Sequence, residues 1–343
     1  FLLQKREENE LSQAFTAYNT RIVAPPHGSM LPMSPVRKNI LMVACALGLL
    51  IPVVIIFICE NMNTRVRGRK DLESVTVPFI GEIPLFTRKK KGIFRKKPQE
   101  VRAIVVKEGS RDIINEAFRV LRTNLEFMTG KDKASNVIIV TSFNPGSGKS
   151  FLTMNIAVSF AIKGKKVLVI DGDLRHGSAS SYIDSPTKGL SDYLGGRIDN
   201  LNEIIVTNPK QKYLDILPVG TIPPNPTELL FDDRLKQVID TVREQYEYVL
   251  IDCPPIELVA DTQIIEKLAD RTIFVVRAGL LELSMLAELE KIYGEKKYKN
   301  MSLILNGTEG SGGRYGYRYG YRYGYHYGYG SEYHYGSDEK YIE

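Results

Sequence analysis

Cysteine and histidine are scarce in this chain of 343 residues, with three of the first and four of the second. Cys45 and Cys59 stand in an apolar run and Cys253 follows a strand-like stretch, so neither a disulfide framework nor a zinc-ligand spacing is present. The histidines are scattered, with His326 and His334 near the C-terminus, which argues against a His-built metal centre. No initiator Met or signal peptide opens the sequence, and the expectation is a fragment whose N-terminal portion is absent. The composition is otherwise globular, 43% hydrophobic and 25% charged, and the length exceeds one average domain. The net charge of +6 matters less than its placement, because the bases crowd between Arg65 and Lys97.

What is present is organised around Val137–Ser150, V-I-I-V-T-S-F-N-P-G-S-G-K-S. A β-branched run reads as a buried parallel strand, a Gly-rich turn follows, and Phe151–Ile162 reads as an apolar helix. Strand, loop and helix in that order make a phosphate-binding loop. Backbone N–H groups around Gly146, Ser147 and Gly148 can wrap a triphosphate at the helix N-terminus. Lys149 would reach the β and γ phosphates and the Ser150 hydroxyl would bind Mg²⁺. Phe143 stands where the first Gly of the motif is usual, at a distance from the donors that follow Pro145. The alternative is a chance G-x-G-K-S in an ordinary loop.

Upstream, Phe1–Ala24 carries Leu11, Phe15, Tyr18 and Ile22 on one helical face, which suits a docking stem or an ordinary surface helix equally. Prolines from Pro25 to Pro35 interrupt it. Ile40–Cys59 is an uncharged apolar run long enough, at ~1.5 Å per residue, to cross a ~30 Å hydrocarbon core, and Pro52 would kink it. Bases dominate its C-terminal flank (Arg65, Arg67, Arg69, Lys70), so the positive-inside rule puts that side in the cytoplasm. Further clusters, Arg88–Lys91 and Arg95–Lys97, suit anionic lipid better than nucleic acid. Val75–Gly81, between the Arg65–Lys70 bases and these clusters, is a short apolar segment of no assigned use.

From Ser110, strand candidates at Val137–Val140, Val167–Ile170, Leu214–Leu217, Tyr248–Ile251, Thr272–Val276 and Ser302–Leu305 alternate with helical stretches. That alternation predicts an α/β fold, a doubly wound, mostly parallel sheet with ligands at the carboxyl ends of its strands. Asp171, Asp173 and Asp252 fall at such ends. Asp252, with Asp173, reads as the Mg²⁺-side acid, and Asp171 as the base for a tyrosine hydroxyl whose own pKa of about 10 makes it a poor nucleophile at neutral pH. Structural capping is the alternative for any one of them, and the division of roles between Asp171 and Asp173 stays open. Tyr315, Tyr317, Tyr319, Tyr321, Tyr323, Tyr325, Tyr327 and Tyr329 then recur every second residue among Gly, Arg and His, with Tyr333 and Tyr335 beyond. With few aliphatic residues, this stretch predicts a disordered tail.

These motifs together resemble the bacterial tyrosine autokinases of the Wzc type, joined to polysaccharide chain-length regulators of the Wzz type. The matching stretches are Pro145–Ser150, Asp171-x-Asp173-x-Arg175, the strand ending at Asp252, Gly189–Leu194, Gly220–Leu230 and the tyrosine cluster. The resemblance implies a P-loop NTPase fold of the MinD/ParA class, with ATP and Mg²⁺ as cofactors. It implies nucleotide contacts from Pro145, Gly146, Ser147, Gly148, Lys149, Ser150, Phe151, Arg175 and Asn306. A Glu116-x-x-Arg119-x-x-Arg122 helix matches the face by which family members dock in a ring, though exposed intrahelical ion pairing would explain it too. Asn144 stands where related cell-division and partition ATPases place a Lys. The implied organisation is a periplasmic stem at 1–39, a transmembrane helix at 40–59, a basic linker at 60–109, a cytoplasmic kinase domain at 110–309 and an autophosphorylated tail at 310–343. Lipid, sister subunits, the polysaccharide machinery and a phosphotyrosine phosphatase are the implied partners, at the bacterial inner membrane and without nucleic acid. The competing readings are a nucleotide-gated scaffold with a sticky aromatic tail and a partition-type ATPase.

Overall fold

The computed structural model describes residues 1–14, 28, 36–61, 64–86, 103–129, 136–209, 211–256 and 260–309, without the side chains of 59–61. The described chain divides into two compact units between Asn63 and Thr64. In the first, α1 (Leu2–Ala14) buries none of its residues. The expected apolar positions Phe15, Tyr18 and Ile22 lie outside the described residues. Helix α2 (Arg37–Asn61) contains the expected span, and its Arg37–Ile58 portion is long and apolar enough to cross a membrane.

The second unit is a doubly wound sheet. Its elements follow as β1 (Phe79–Pro84), α3 (Ile113–Thr129), β2 (Asn136–Thr141), α4 (Lys149–Ile162), β3 (Val167–Asp171), α5 (Leu190–Leu194), β4 (Val206–Thr207), β5 (Leu214–Leu217), α6 (Pro226–Leu230), α7 (Asp233–Gln245), β6 (Tyr248–Asp252), α8 (Asp261–Glu266), β7 (Arg271–Arg277), α9 (Met285–Gly294) and β8 (Ser302–Thr308). The spatial order is β1-β8-β7-β2-β6-β3-β5-β4, with every pairing parallel except β4 on β5. The six expected strands are all present. β-branched runs without polar interruption suit strands that are covered on both faces, and Val137, Ile138, Ile139 and Val140 are all fully buried. Ile138 and Val140 join Phe118, Leu121, Leu152 and Phe160 in one layer, while Val137 and Ile139 join Val238, Ile239 and Leu289 in the other.

One boundary differs from expectation. The folded unit begins at Thr64, inside the stretch expected as a basic linker over 60–109. Val66 is fully buried, its N–H donating to Leu281 O at 2.9 Å while Gly279 N–H returns a bond to Val66 O at 2.7 Å. The unassigned segment Val75–Gly81 leads into β1, which buries Ile80 and Ile83 and pairs with β8. Its partner strand lies more than two hundred residues downstream, so local sequence carries no sign of the pairing. Arg88–Lys91 and Arg95–Lys97 lie outside the described residues.

Candidate functional site

The Gly-rich turn joins the end of β2 to the start of α4 at the carboxyl edge of the sheet. The hydroxyls of Ser142 and Ser147 each donate to Asn144 O at 2.8 Å, which folds the loop back on itself. Gly146 and Gly148 have φ of 75° and 85°, the left-handed region where a Cβ is costly. A methyl built on Gly148 would also overlap the side-chain nitrogen of Asn306, which donates to Ser147 O at 2.8 Å. Asn306, at the end of β8, therefore stands on the loop. Phe143 fills the place of the missing glycine with a core side chain, edge-on to Phe274 at 4.9 Å between ring centres.

Lys149 is 8% exposed and its ammonium donates to Ser142 Oγ at 3.3 Å. Ser150 follows in the first turn of α4. The ring of Phe151 packs on Phe118 at 6.1 Å, so its backbone, not its ring, is what it offers the loop. Pro145 and Gly146 are exposed at the mouth.

Asp252 and Asp171 end the adjacent strands β6 and β3 and stand directly opposite each other in register. Both are essentially without solvent contact. Asp171 Oδ2 accepts from Ser180 N–H at 2.6 Å and the Ser180 hydroxyl at 2.7 Å, while Oδ1 has no partner. Neither oxygen of Asp252 has a regular hydrogen bond, although the Ser150 hydroxyl and the Lys149 ammonium favour its charged form. Desolvation is the main force holding both carboxyls well above the usual carboxylate range, and their mutual repulsion adds to it for Asp252. Asp173 is tied to its own turn, with Oδ1 3.3 Å from the N–H groups of Arg175 and His176 and 3.2 Å from His176 Nδ1.

Buried carboxylate oxygens without donors require a proton or a cation nearby. Among the described residues no three His, Cys, Asp or Glu side chains form a metal cage. Two carboxylates and a hydroxyl beside a phosphate loop nevertheless fit Mg²⁺, which takes few protein ligands and fills its remaining positions from water and phosphate.

Two expected contacts have different partners here. Arg175 donates from Nε to Asp261 Oδ2 at 3.1 Å and from Nη2 to Thr227 Oγ1 at 3.0 Å, and the Thr227 hydroxyl donates to Asp261 Oδ1 at 2.6 Å. Its guanidinium therefore ties the turn after β3 to α6 and α8. Of the three residues expected on one docking face, Arg119 pairs with Glu116 at 2.6 Å near the surface, whereas Arg122 reaches inward to Ser159 O on α4 at 2.8 Å. The tyrosines from Tyr315 to Tyr335 lie outside the described residues.

Ser180 and Asp261 escaped sequence reasoning. Ser180 sits nine residues past Asp171 in a stretch with no motif, while Asp261 follows the Asp252-Cys-Pro-Pro stretch and opens a short helix, a weak signal that was present.

A family model described as AAA domain matches residues 135–303. A putative tyrosine-protein kinase, AmsA of Erwinia amylovora, is 33% identical over 303 residues, covering 85% of this chain and 41% of its own length. The solved kinase domain of the Escherichia coli tyrosine kinase ETK superposes with a TM-score of 0.62 at 29% identity, covering 77% of this chain and all of that one. The solved BceF tyrosine kinase domain gives 0.59 at 30% identity, covering 71% of this chain and 99% of that domain. The chain spans about two fifths of the length of the curated relatives it matches.

Proposed function

The chain belongs to the bacterial tyrosine-protein kinases, and from that membership we propose that it transfers the γ-phosphoryl group of ATP to tyrosines of its own C-terminal tail. One observation carries this reading. A glycine loop with its lysine meets, at a single sheet edge, two buried carboxylates that keep oxygens without a regular hydrogen bond.

The backbone N–H groups of Gly146, Ser147 and Gly148 cradle the β and γ phosphates, and Lys149 draws charge from them. Asp252, Asp173 and Ser150 are the residues that would hold Mg²⁺, which when bound neutralises phosphate charge. A tyrosine hydroxyl oxygen attacks the γ phosphorus while the bond from that phosphorus to the β–γ bridging oxygen breaks and ADP departs. The hydroxyl proton passes to Asp171 Oδ1, the oxygen without a partner, while Ser180 holds the other. A carboxyl raised above its ordinary pKa is the stronger base, which suits this step. Arg175, Thr227 and Asp261 set the turn that carries Asp173.

Several further features belong to the same proposal. Helix α2 anchors the chain in the inner membrane, with the basic flank from Arg65 to Lys70 and the catalytic unit cytoplasmic and the stem periplasmic. Sister subunits form a ring through the Glu116 and Arg119 surface, and each tail enters a neighbour's site. Each phosphate adds nearly two negative charges, so accumulation loosens the ring. That cycling, reset by a phosphatase, regulates polysaccharide polymerisation and export.

Labelled ATP with the full chain tests the chemistry. Lys149→Met is expected to lower tail phosphotyrosine about 100-fold or more. Undiminished labelling in that variant overturns the reading, and steady ATP hydrolysis without tyrosine labelling favours a scaffold or a partition-type ATPase instead.

A further inference from the structure

The opposite edge of the sheet from the phosphate loop carries a cleft of about 620 Å³ that the chemistry above leaves unused. It opens at the first residues of β7 and β8, and Met128 from the end of α3 and Tyr293 from α9 both line it. Arg271, Lys296, Tyr298 and Lys299 also line its wall. The volume suits a ligand larger than a bare anion, since drug-sized ligands occupy roughly 300–1,000 Å³. Aromatic and thioether surface lies beside cationic groups, the combination that accepts a ring carrying an anionic substituent.

The cations there lack ionic partners among the described residues. The half-buried Arg271 uses Nη2 on Met128 O and makes no ion pair. Burial draws its pKa below the usual value, with Asp270 alone opposing the shift. Asp270 is itself committed, accepting from Arg243 at 2.6 Å and from Val137 N–H at 2.9 Å. Glu266 accepts the Lys299 N–H at 2.9 Å, and the Lys299 ammonium rests on the carbonyls of Lys267 and Ala269 at 2.7 and 3.2 Å. Lys296 is exposed and makes no ion pair. Glu295, its neighbour, pairs with Lys297 at 2.9 Å.

Resting on the kinase reading above, we propose that this cleft is a receptor for phosphotyrosine on the chain's own tail. The tail departs after β8 at the other sheet edge, and a seven-residue strand spans roughly 23 Å. At ~3.5 Å per residue, the residues beyond Glu309 reach that far by about Tyr317, and every later tyrosine reaches with slack. Before phosphorylation, Arg314, Arg318 and Arg322 make the segment from 314 to 329 purely basic, and the cleft repels it. Each phosphoryl group adds nearly two negative charges and reverses that sign. The modified tail is then parked at the foot of its own subunit, away from the phosphate loops.

A synthetic peptide with the sequence of Arg318–Tyr325, its tyrosines phosphorylated chemically, separates this receptor from the kinase reading because no enzymatic step is involved. Its binding to phosphatase-treated full chain without ATP is followed by fluorescence anisotropy. The phosphopeptide is expected to bind about tenfold or more tighter than its unphosphorylated form, and both Lys296→Gln and Arg271→Gln to weaken it about tenfold. Lys296→Gln changes an exposed side chain and preserves the fold should Arg271→Gln fail to. Equal binding of the two peptides, unchanged binding by Lys296→Gln, or displacement by inorganic phosphate as effective as by phenyl phosphate overturns the proposal.

Discussion

At Asp252 the protein holds a carboxyl where an isolated carboxylate is unstable. With no solvent and no regular hydrogen bond, its protonated form is favoured, so the folded chain binds a proton that the unfolded chain releases above about pH 4. The sign follows directly. Stability of the nucleotide-free protein is not reduced by this group at low pH and falls as pH rises through the raised folded value. Asp252→Asn removes that penalty, so its melting temperature should exceed that of the parent at pH 8 and converge with it near pH 4, while tail phosphorylation is lost. Thermal melts across pH without nucleotide or Mg²⁺ check this, and a variant less stable at pH 8 refutes it. Gly148 gives the opposite case. Its φ of 85° and the Asn306 side chain beside it leave no room for a methyl, so Gly148→Ala should weaken binding of a fluorescent ATP analogue at least tenfold. Titration by fluorescence reads this directly.

Helix α3 separates a structural role from a surface role within one motif. Helical arithmetic over Glu116, Arg119 and Arg122 puts all three on one arc, but an arc carries no information about depth. Arg122 lies on the side turned to α4 and satisfies Ser159 O, whereas the Glu116–Arg119 pair stays near the surface. Arg122→Ala should therefore destabilise the second unit by about 1–3 kcal/mol, the cost of an unmet buried acceptor. Glu116→Ala should cost no more than about 1 kcal/mol, the range of a surface pair, yet reduce the oligomer mass read by mass photometry. Equal loss of stability in both variants contradicts the division. The same limit explains which elements were legible. The β-branched runs of β2, β3 and β6 state their own burial, because a strand covered on both faces needs nothing polar. Asp171 and Asp252 were legible for the same reason, each closing such a run. The guanidinium of Arg175 was not, since its partners Thr227 and Asp261 come from two later elements that only the folded chain brings together.

At the scale of the whole molecule, the second unit depends on chain lying before the first motif. β1 covers the edge of β8, a strand whose residues are buried from Ser302 to Gly307, and Leu303 N–H donates to Pro78 O at 2.8 Å. Without β1, an unpaired parallel strand of Leu, Ile and Leu would meet water, the arrangement that invites edge-to-edge association. Two fragments make the dependence measurable. Residues 64–309 retain Val66, β1 and both core layers, and should melt cooperatively, bind nucleotide and label an added Arg318–Tyr325 peptide, while having no tail to label themselves. Residues 110–309, the domain expected from the motifs alone, lack that edge cover and should aggregate or melt well below the longer fragment. Circular dichroism melts and light scattering decide the matter. If the shorter fragment matches the longer in both, β1 is dispensable and the folded unit begins where the motifs do.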